Sequence, residues 1–103
     1  MKIGRVVGKI SLVKAHPSLI GMRWVLAMPQ SLAVLAGKGK ETDEEVIAVD
    51  ELGATPGALV AITDGREAAA PFEPDRKPVD AYIAGILDDL RIDEAEVKKL
   101  LKK

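Results

Sequence analysis

The sequence predicts a mainly β domain, a small antiparallel barrel or sandwich that ends in a short α-helix. Several short segments rich in apolar and β-branched residues are separated by turns that contain glycine and proline. The first of these segments carries Gly4 and Gly8 on one face, a pattern typical of the bent strands that close small barrels. The C-terminal segment differs from these and shows a helical pattern. A chain of 103 residues is long enough for one domain.

The N-terminal half predicts two strands. The segment from Lys2 to Val13 is rich in β-branched residues and lacks a helical stripe, which favours a strand. After a turn with Pro17 and Gly21, the segment from Met22 to Met28 is interpreted as a second strand, with a short helix as the alternative. The stretch SLAVLAG that follows fits either a helix or a strand.

The second half predicts three more strands between turns. A solvated loop is predicted over residues 37–45, followed by a strand that ends at Asp50 and a turn at Gly53. The next strand is predicted over residues 58–63. A proline-containing loop over residues 66–78 then leads to a last strand over residues 78–90.

The C-terminal segment predicts an amphipathic helix from Asp93 to Lys102. Glu96 follows Asp93 by three residues, which is the spacing of a capping box. Lysines, including Lys103, lie towards the C-terminal end, where they complement the helix dipole. Because a helix of about ten residues is marginal in isolation, we expect it to dock on another surface.

Composition excludes several classes of protein. The chain has no cysteine, which rules out disulfide scaffolds and thiolate metal sites. A net charge of −1 and only three aromatic residues, Trp24, Phe72 and Tyr82, give no support to a nucleic-acid partner. No apolar run is long enough to span a membrane and the N-terminus lacks the apolar block of a signal peptide, so we expect no membrane partner and a cytoplasmic location.

Motifs that suggest chemistry fail on spacing or context. The stretch GRVVGK is one residue short of a phosphate-binding loop and lies in a predicted strand, and GKGK at residues 37–40 opens no helix. His16 is the only histidine and has no second imidazole to share a metal. None of the serines has the context of a catalytic triad. We therefore expect no catalytic residue, no cofactor and no metal.

Two carboxylates, Asp80 and Asp88, lie near the ends of the last predicted strand. If they lie on one extended strand they are about 26 Å apart, whereas paired glycosidase carboxylates lie within about 10 Å of each other. This geometry favours structural roles over a catalytic pair.

The order of several motifs resembles one family. The chain opens with MKIGRVVGKI, continues through a Pro-Ser-Leu-x-Gly turn and WVLAM, and then reads AVDELGATPGALVAITDG and PVDAYIAGILD. Over about residues 1–90 this resembles the EutN/CcmL family of bacterial microcompartment vertex proteins. The resemblance implies an OB-like five-stranded barrel, here at residues 1–90, with residues 91–103 as an added helix.

The resemblance also implies a structural role without enzymatic activity. It implies a homopentamer that caps the vertices of a microcompartment shell in the cytoplasm, beside hexameric shell proteins. Candidate subunit-interface or turn residues are Asp50, Gly53, Ala54, Gly57 and Asp80. The carboxylates of Asp50 and Asp80 are expected to accept hydrogen bonds from turn amides or basic groups.

The sequence departs from the family after the third long strand. A Gly-Ser-Ser-Ala-like stretch that is thought to lie near the five-fold axis is replaced by Gly65-Arg66-Glu67-Ala68. Gly65, Arg66 and Glu67 are therefore candidate residues of a loop near a pore, but the size and polarity of a family pore do not carry over to them.

Two other functions remain open from the sequence. One is a free-standing OB-type module that binds an oligonucleotide or an oligosaccharide, which requires a basic groove with stacking aromatics. The other is a small enzyme that uses Asp50 and Asp80.

Overall fold

Five strands form a closed barrel in the order β1-β2-β3-β5-β4. The computed structural model describes residues 1–41 and 44–102. The strands are β1 (Lys2–Ile10), β2 (Trp24–Pro29), β3 (Val46–Val49), β4 (Leu59–Asp64) and β5 (Ala81–Leu87). Neighbouring strands are antiparallel except β3 and β5, which run parallel and meet at Val49 and Tyr82. The mainly β, five-stranded barrel is confirmed, and a sandwich is excluded because each of the five strands pairs with two neighbours in one closed sheet.

Strand β1 bends, as its two glycines predict. Its register against β2 shifts between Val6 and Gly8, a bulge that increases local twist. A Cβ at Gly4 would lie 2.6 Å from Cδ1 of Ile62, so glycine at this position allows the core side chain to reach the strand. The bend lets β1 close the barrel between two partners.

The barrel interior divides into two apolar clusters. The first fills the barrel and consists of the buried residues Val6, Val25, Ala27, Ala48, Ala54, Val60, Ile62, Ala81 and Ile83. The second lies under the β1–β2 connection and contains the buried residues Trp24, Val49, Ala68 and Val79, with Leu19, Met22, Phe72 and Tyr82 among those packed against it.

Two strands end earlier than predicted because their ladder partners end. β1 stops at Ile10, not Val13, because Ile10 pairs with Trp24, where β2 begins. β5 starts at Ala81, not Pro78, and stops at Leu87, which pairs with the first residue of β4. The strand predicted to contain Asp80 and Asp88 therefore excludes both, and they flank it.

The prediction of a proline-containing loop over residues 66–78 was wrong for the first half of that segment. Gly65–Phe72 forms a 3₁₀ helix, and the reason is burial of Ala68, which is fully covered by the second cluster. A second, three-residue 3₁₀ turn spans Pro17–Leu19.

Two short α-helices pack against each other outside the barrel. The undecided stretch SLAVLAG forms α1 (Leu32–Leu35), capped by the Ser31 side chain, which accepts from the Val34 amide. Helix α2 (Glu94–Leu101) confirms the predicted tail: Asp93 Oδ1 accepts from the Glu96 amide at 3.1 Å. Val97 is 4% exposed and anchors α2.

Of the loop predicted over residues 37–45, residues 42 and 43 lie outside the described residues, and so does Lys103 of the predicted C-terminal helix segment.

Candidate assembly site

The turn after β3 is organised by one buried carboxylate. Asp50 is 1% exposed and is the buried charged residue of the described chain. Its Oδ1 accepts from the amides of Leu52 at 2.9 Å and Gly53 at 3.2 Å, and its Oδ2 accepts from the amide of Ala54 at 2.7 Å. A carboxylate that accepts several amide bonds replaces its lost hydration, so burial of Asp50 fixes the path of the turn.

Arg23, which precedes β2, completes this cluster from the neighbouring strand. Its Nε donates to Asp50 Oδ2 at 3.0 Å, and its Nη2 donates to the Ala54 carbonyl at 2.7 Å. The guanidinium therefore balances the buried charge and holds the turn against the start of β2. The sequence contains no signal for Arg23, because it lies 27 residues from Asp50 and no local pattern links the two side chains.

Two glycines allow the turn to return to β1. Gly53 and Gly57 have φ values of +83° and +93°, in the region that side chains with a Cβ disfavour. The amide of Gly57 donates to the carbonyl of Val6 at 2.8 Å, and the amide of Val6 donates to the carbonyl of Ala58 at 2.9 Å. The five candidate interface or turn residues therefore lie in two places. Asp50, Gly53, Ala54 and Gly57 share this turn, and Asp80 lies outside it.

Asp80 lies beside the Gly65 loop instead. Its carbonyl accepts from the Gly65 amide at 2.9 Å, while its side chain is exposed. Gly65 turns with a φ of +71°, and Arg66 and Glu67 are exposed at the start of the 3₁₀ helix. Asp80 and the three candidate pore residues therefore form one exposed rim at the β4–β5 end of the barrel.

An ion pair borders this rim. Lys2 Nζ lies 3.1 Å from Asp64 Oδ2. The hydrogen bond from Lys2, reinforced by its charge, lowers the pKa of Asp64. Lys2 therefore favours the ionised form of Asp64, and this border of the rim carries both signs of charge.

A second polar cluster joins β1 to the loop after α1. Arg5 donates to Glu41 through Nε at 2.7 Å and Nη2 at 2.8 Å, and Gln30 Nε2 donates to the same carboxylate at 2.9 Å. The hydrogen bonds from Arg5 and then Gln30 lower the pKa of Glu41 to about 2. The sequence offered no signal for this contact, which spans 36 residues.

The geometry does not support acid–base chemistry at Asp50. Both of its oxygens are engaged by donors and the group is closed to solvent, whereas a general base must reach a substrate proton. Within residues 1–41 and 44–102, no group of three or more histidine, cysteine or acidic side chains could hold a metal ion.

The aromatic residues are used for packing. Trp24 is 9% exposed. Tyr82 meets Phe72 edge-to-face with ring centroids 5.7 Å apart and donates its hydroxyl to Glu51 at 3.1 Å. Burial, followed by the bond to Glu51, raises the pKa of Tyr82. In the described residues these rings do not form the exposed platform that base stacking requires.

None of the helices in the described part of the chain has the length and apolar character needed to cross a membrane.

Comparison with known sequences gives consistent matches. The family model described as ethanolamine utilisation protein EutN/carboxysome matches residues 1–88. The carboxysome shell vertex protein CcmL of Gloeobacter violaceus is 29% identical over 93 residues, covering 90% of this chain and 88% of the relative. The bacterial microcompartment shell vertex protein PduN of Salmonella typhimurium is 32% identical over 90 residues, covering 87% of this chain and 98% of the relative.

Comparison with solved structures identifies the same fold. The structure of Gloeobacter violaceus CcmL superposes with a TM-score of 0.79 at 29% identity, covering 90% of this chain and 91% of that one. The pentameric microcompartment shell protein GrpN of Rhodospirillum rubrum superposes with a TM-score of 0.74 at 22% identity, covering 90% and 99% of the two chains. The family model ends at residue 88, before α2 begins at Glu94.

Proposed function

This chain belongs to the EutN/CcmL family, and on that premise we propose that it is a structural subunit, without enzymatic activity, that caps the vertices of a bacterial microcompartment shell. The observation that carries the proposal is the match over nearly the whole barrel to two relatives that are shell vertex proteins. The saturated, buried carboxylate at Asp50 supports it, because the most constrained polar group of the fold holds a turn in place.

The proposed assembly is a ring of five identical chains. A closed ring repeats one contact between two unlike faces of the subunit. Five-fold units supply the curvature that flat sheets of hexameric tiles lack, so hexameric shell proteins are the proposed neighbours. The proposed location follows from this role: the shell, within the cytoplasm of a bacterium.

We assign the candidate residues as proposals within this ring. The turn of Asp50, Gly53, Ala54 and Gly57 supports the barrel wall at a subunit contact. The exposed rim of Asp80, Gly65, Arg66 and Glu67 faces the five-fold axis, where its charges would line an opening. Residues 1–90 form the shell domain and residues 91–103 form an appended helix.

The mass of the purified protein tests the proposal directly. Native mass spectrometry should give about 55 kDa, five times the 11.0 kDa chain. A monomer at concentrations where relatives assemble would contradict the vertex role. Salt-sensitive binding of single-stranded DNA by such a monomer would favour the OB-type binding module instead.

A further inference from the structure

The connection between β1 and β2 carries an unusual amount of exposed apolar surface. Val13 is 100% exposed, Ile20 77% and Leu12 46%. Their two arms, residues 11–15 and 19–22, form a groove whose floor is Ile10 and Trp24. We call this the hairpin groove. Apolar side chains concentrated on one loop mark an interaction surface more often than scattered ones do.

An unpaired donor lies at the floor of the hairpin groove. Trp24 is 9% exposed, and its Nε1 is closed to solvent without a hydrogen-bond partner among the described residues. A buried N–H that lacks an acceptor is destabilising. A hydrogen-bond acceptor that enters the groove could bond to Trp24 Nε1 if the two arms of the groove shifted slightly. The occupant must therefore offer both apolar side chains and a carbonyl or carboxylate oxygen.

The chain itself presents a surface with that chemistry on the other side of the barrel. β5 pairs with neither β1 nor β2. Its edge meets β3 only at Tyr82, so from Ile83 to Leu87 that edge has no strand partner in the described structure. Such an edge exposes main-chain carbonyls as acceptors. Ile86, at 43% exposure, supplies an apolar side chain.

Charge at the two surfaces is complementary. Lys14 is the charged residue that lines the hairpin groove. The free edge of β5 leads directly into Asp88 and Asp89. Opposite charges at the rim of a contact favour one register and one partner over others.

We propose that the hairpin groove of one copy receives the free edge of β5 from the next copy around the ring. The proposal rests on the proposed pentamer and specifies its contact. It accounts for two unlike faces on one subunit, which a cyclic ring requires and a two-fold dimer does not. It also assigns a partner to the Trp24 indole.

Three glutamate substitutions test the contact by native mass spectrometry. Val13→Glu blocks the groove and Ile86→Glu blocks the edge, both at exposed positions that tolerate charge in the single chain. Each should raise the concentration for half-assembly by at least about tenfold, because a charge would be buried in the contact. Leu100→Glu is the matched control: Leu100 is 51% exposed on α2, and this variant should assemble like the wild type. Circular dichroism checks that all three fold.

Mixing the two blocked variants gives a sharper test. Each retains one intact face, so a one-to-one mixture should form a heterodimer and no ring. Trp24 is the only tryptophan, so its indole N–H signal in nitrogen-15 NMR reports the groove. That signal should shift when the intact groove of Ile86→Glu meets the intact edge of Val13→Glu.

The outcomes separate this contact from the proposed function. If the wild type forms five-chain rings and Val13→Glu still does so with an unchanged indole signal, the contact is wrong and the vertex role stands. Failure of the mixture to form heterodimers or to shift the signal overturns the pairing with β5. A monomeric wild type overturns both proposals.

Discussion

Replacing Asp50 with alanine removes the acceptor for four donors at once. The Ala54 amide is buried, so losing its acceptor costs the full desolvation penalty, about 1–3 kcal/mol. The amides of Leu52 and Gly53 and the guanidinium of Arg23 belong to exposed or half-exposed groups and regain water. Each of these contributes about 0.5–1.5 kcal/mol. Together these terms allow a loss of about 2.5–7.5 kcal/mol. We expect Asp50→Ala to lower the free energy of unfolding by about 3–5 kcal/mol, which lies within that span and is the range for breaking a buried ion pair.

Urea unfolding followed by Trp24 fluorescence measures this loss. Because assembly would add to apparent stability, all variants are compared at one chain concentration. The unfolding midpoint should fall while the slope with urea stays constant, since the same surface is exposed. Asp75→Ala is the matched control: Asp75 is an exposed aspartate, and its replacement should change the free energy of unfolding by less than about 0.5 kcal/mol.

One result would refute this reasoning. If Asp50→Ala loses less than about 1 kcal/mol with an unchanged slope, the turn does not depend on the buried carboxylate, and the hydrogen bonds are incidental to the fold.

Three further predictions concern the barrel and its tail. Arg5 lowers the pKa of Glu41 in the folded chain to about 2. The stabilisation from this pair is therefore fully present above the pKa that Glu41 has in the unfolded chain, and it is lost as the pH falls through the pKa of the folded chain. The difference in urea midpoint between wild type and Glu41→Gln should therefore shrink as the pH falls from 4.5, the ordinary pKa of a glutamate, to about 2; a difference that stays constant over this range contradicts the prediction. Gly4→Ala places a Cβ 2.6 Å from a core isoleucine and should destabilise by about 1–3 kcal/mol in urea unfolding, whereas Gly8→Ala meets nothing within 4 Å and should be nearly neutral; equal effects would mean that the core relaxes freely. Val97→Ala should increase hydrogen exchange in α2 and leave barrel protection unchanged, because Val97 is the buried anchor of that helix; loss of barrel protection would make α2 part of the same folding unit.

The sequence alone determined the local features of this protein. The β-branched segments placed all five strands to within a few residues, because strand propensity and turn residues act over short spans. The bend of β1 was indicated by Gly4 and Gly8: the register shifts between Val6 and Gly8, and the lack of a Cβ at Gly4 admits the close approach of Ile62. The start of α2 followed from Asp93 and Glu96, whose spacing encodes the cap.

Tertiary structure decided where those elements end and which distant groups meet. β1 and β5 stop where β2 and β4 run out of residues to pair, a limit that no single segment encodes. The 3₁₀ helix at Gly65–Phe72 forms because Ala68 finds a buried position. The clamp of Arg23 on Asp50 and the single parallel pair that closes the barrel arise only when residues far apart in sequence are brought together. Patterns within a segment record its own backbone preference, whereas contacts between segments depend on the geometry of the closed barrel.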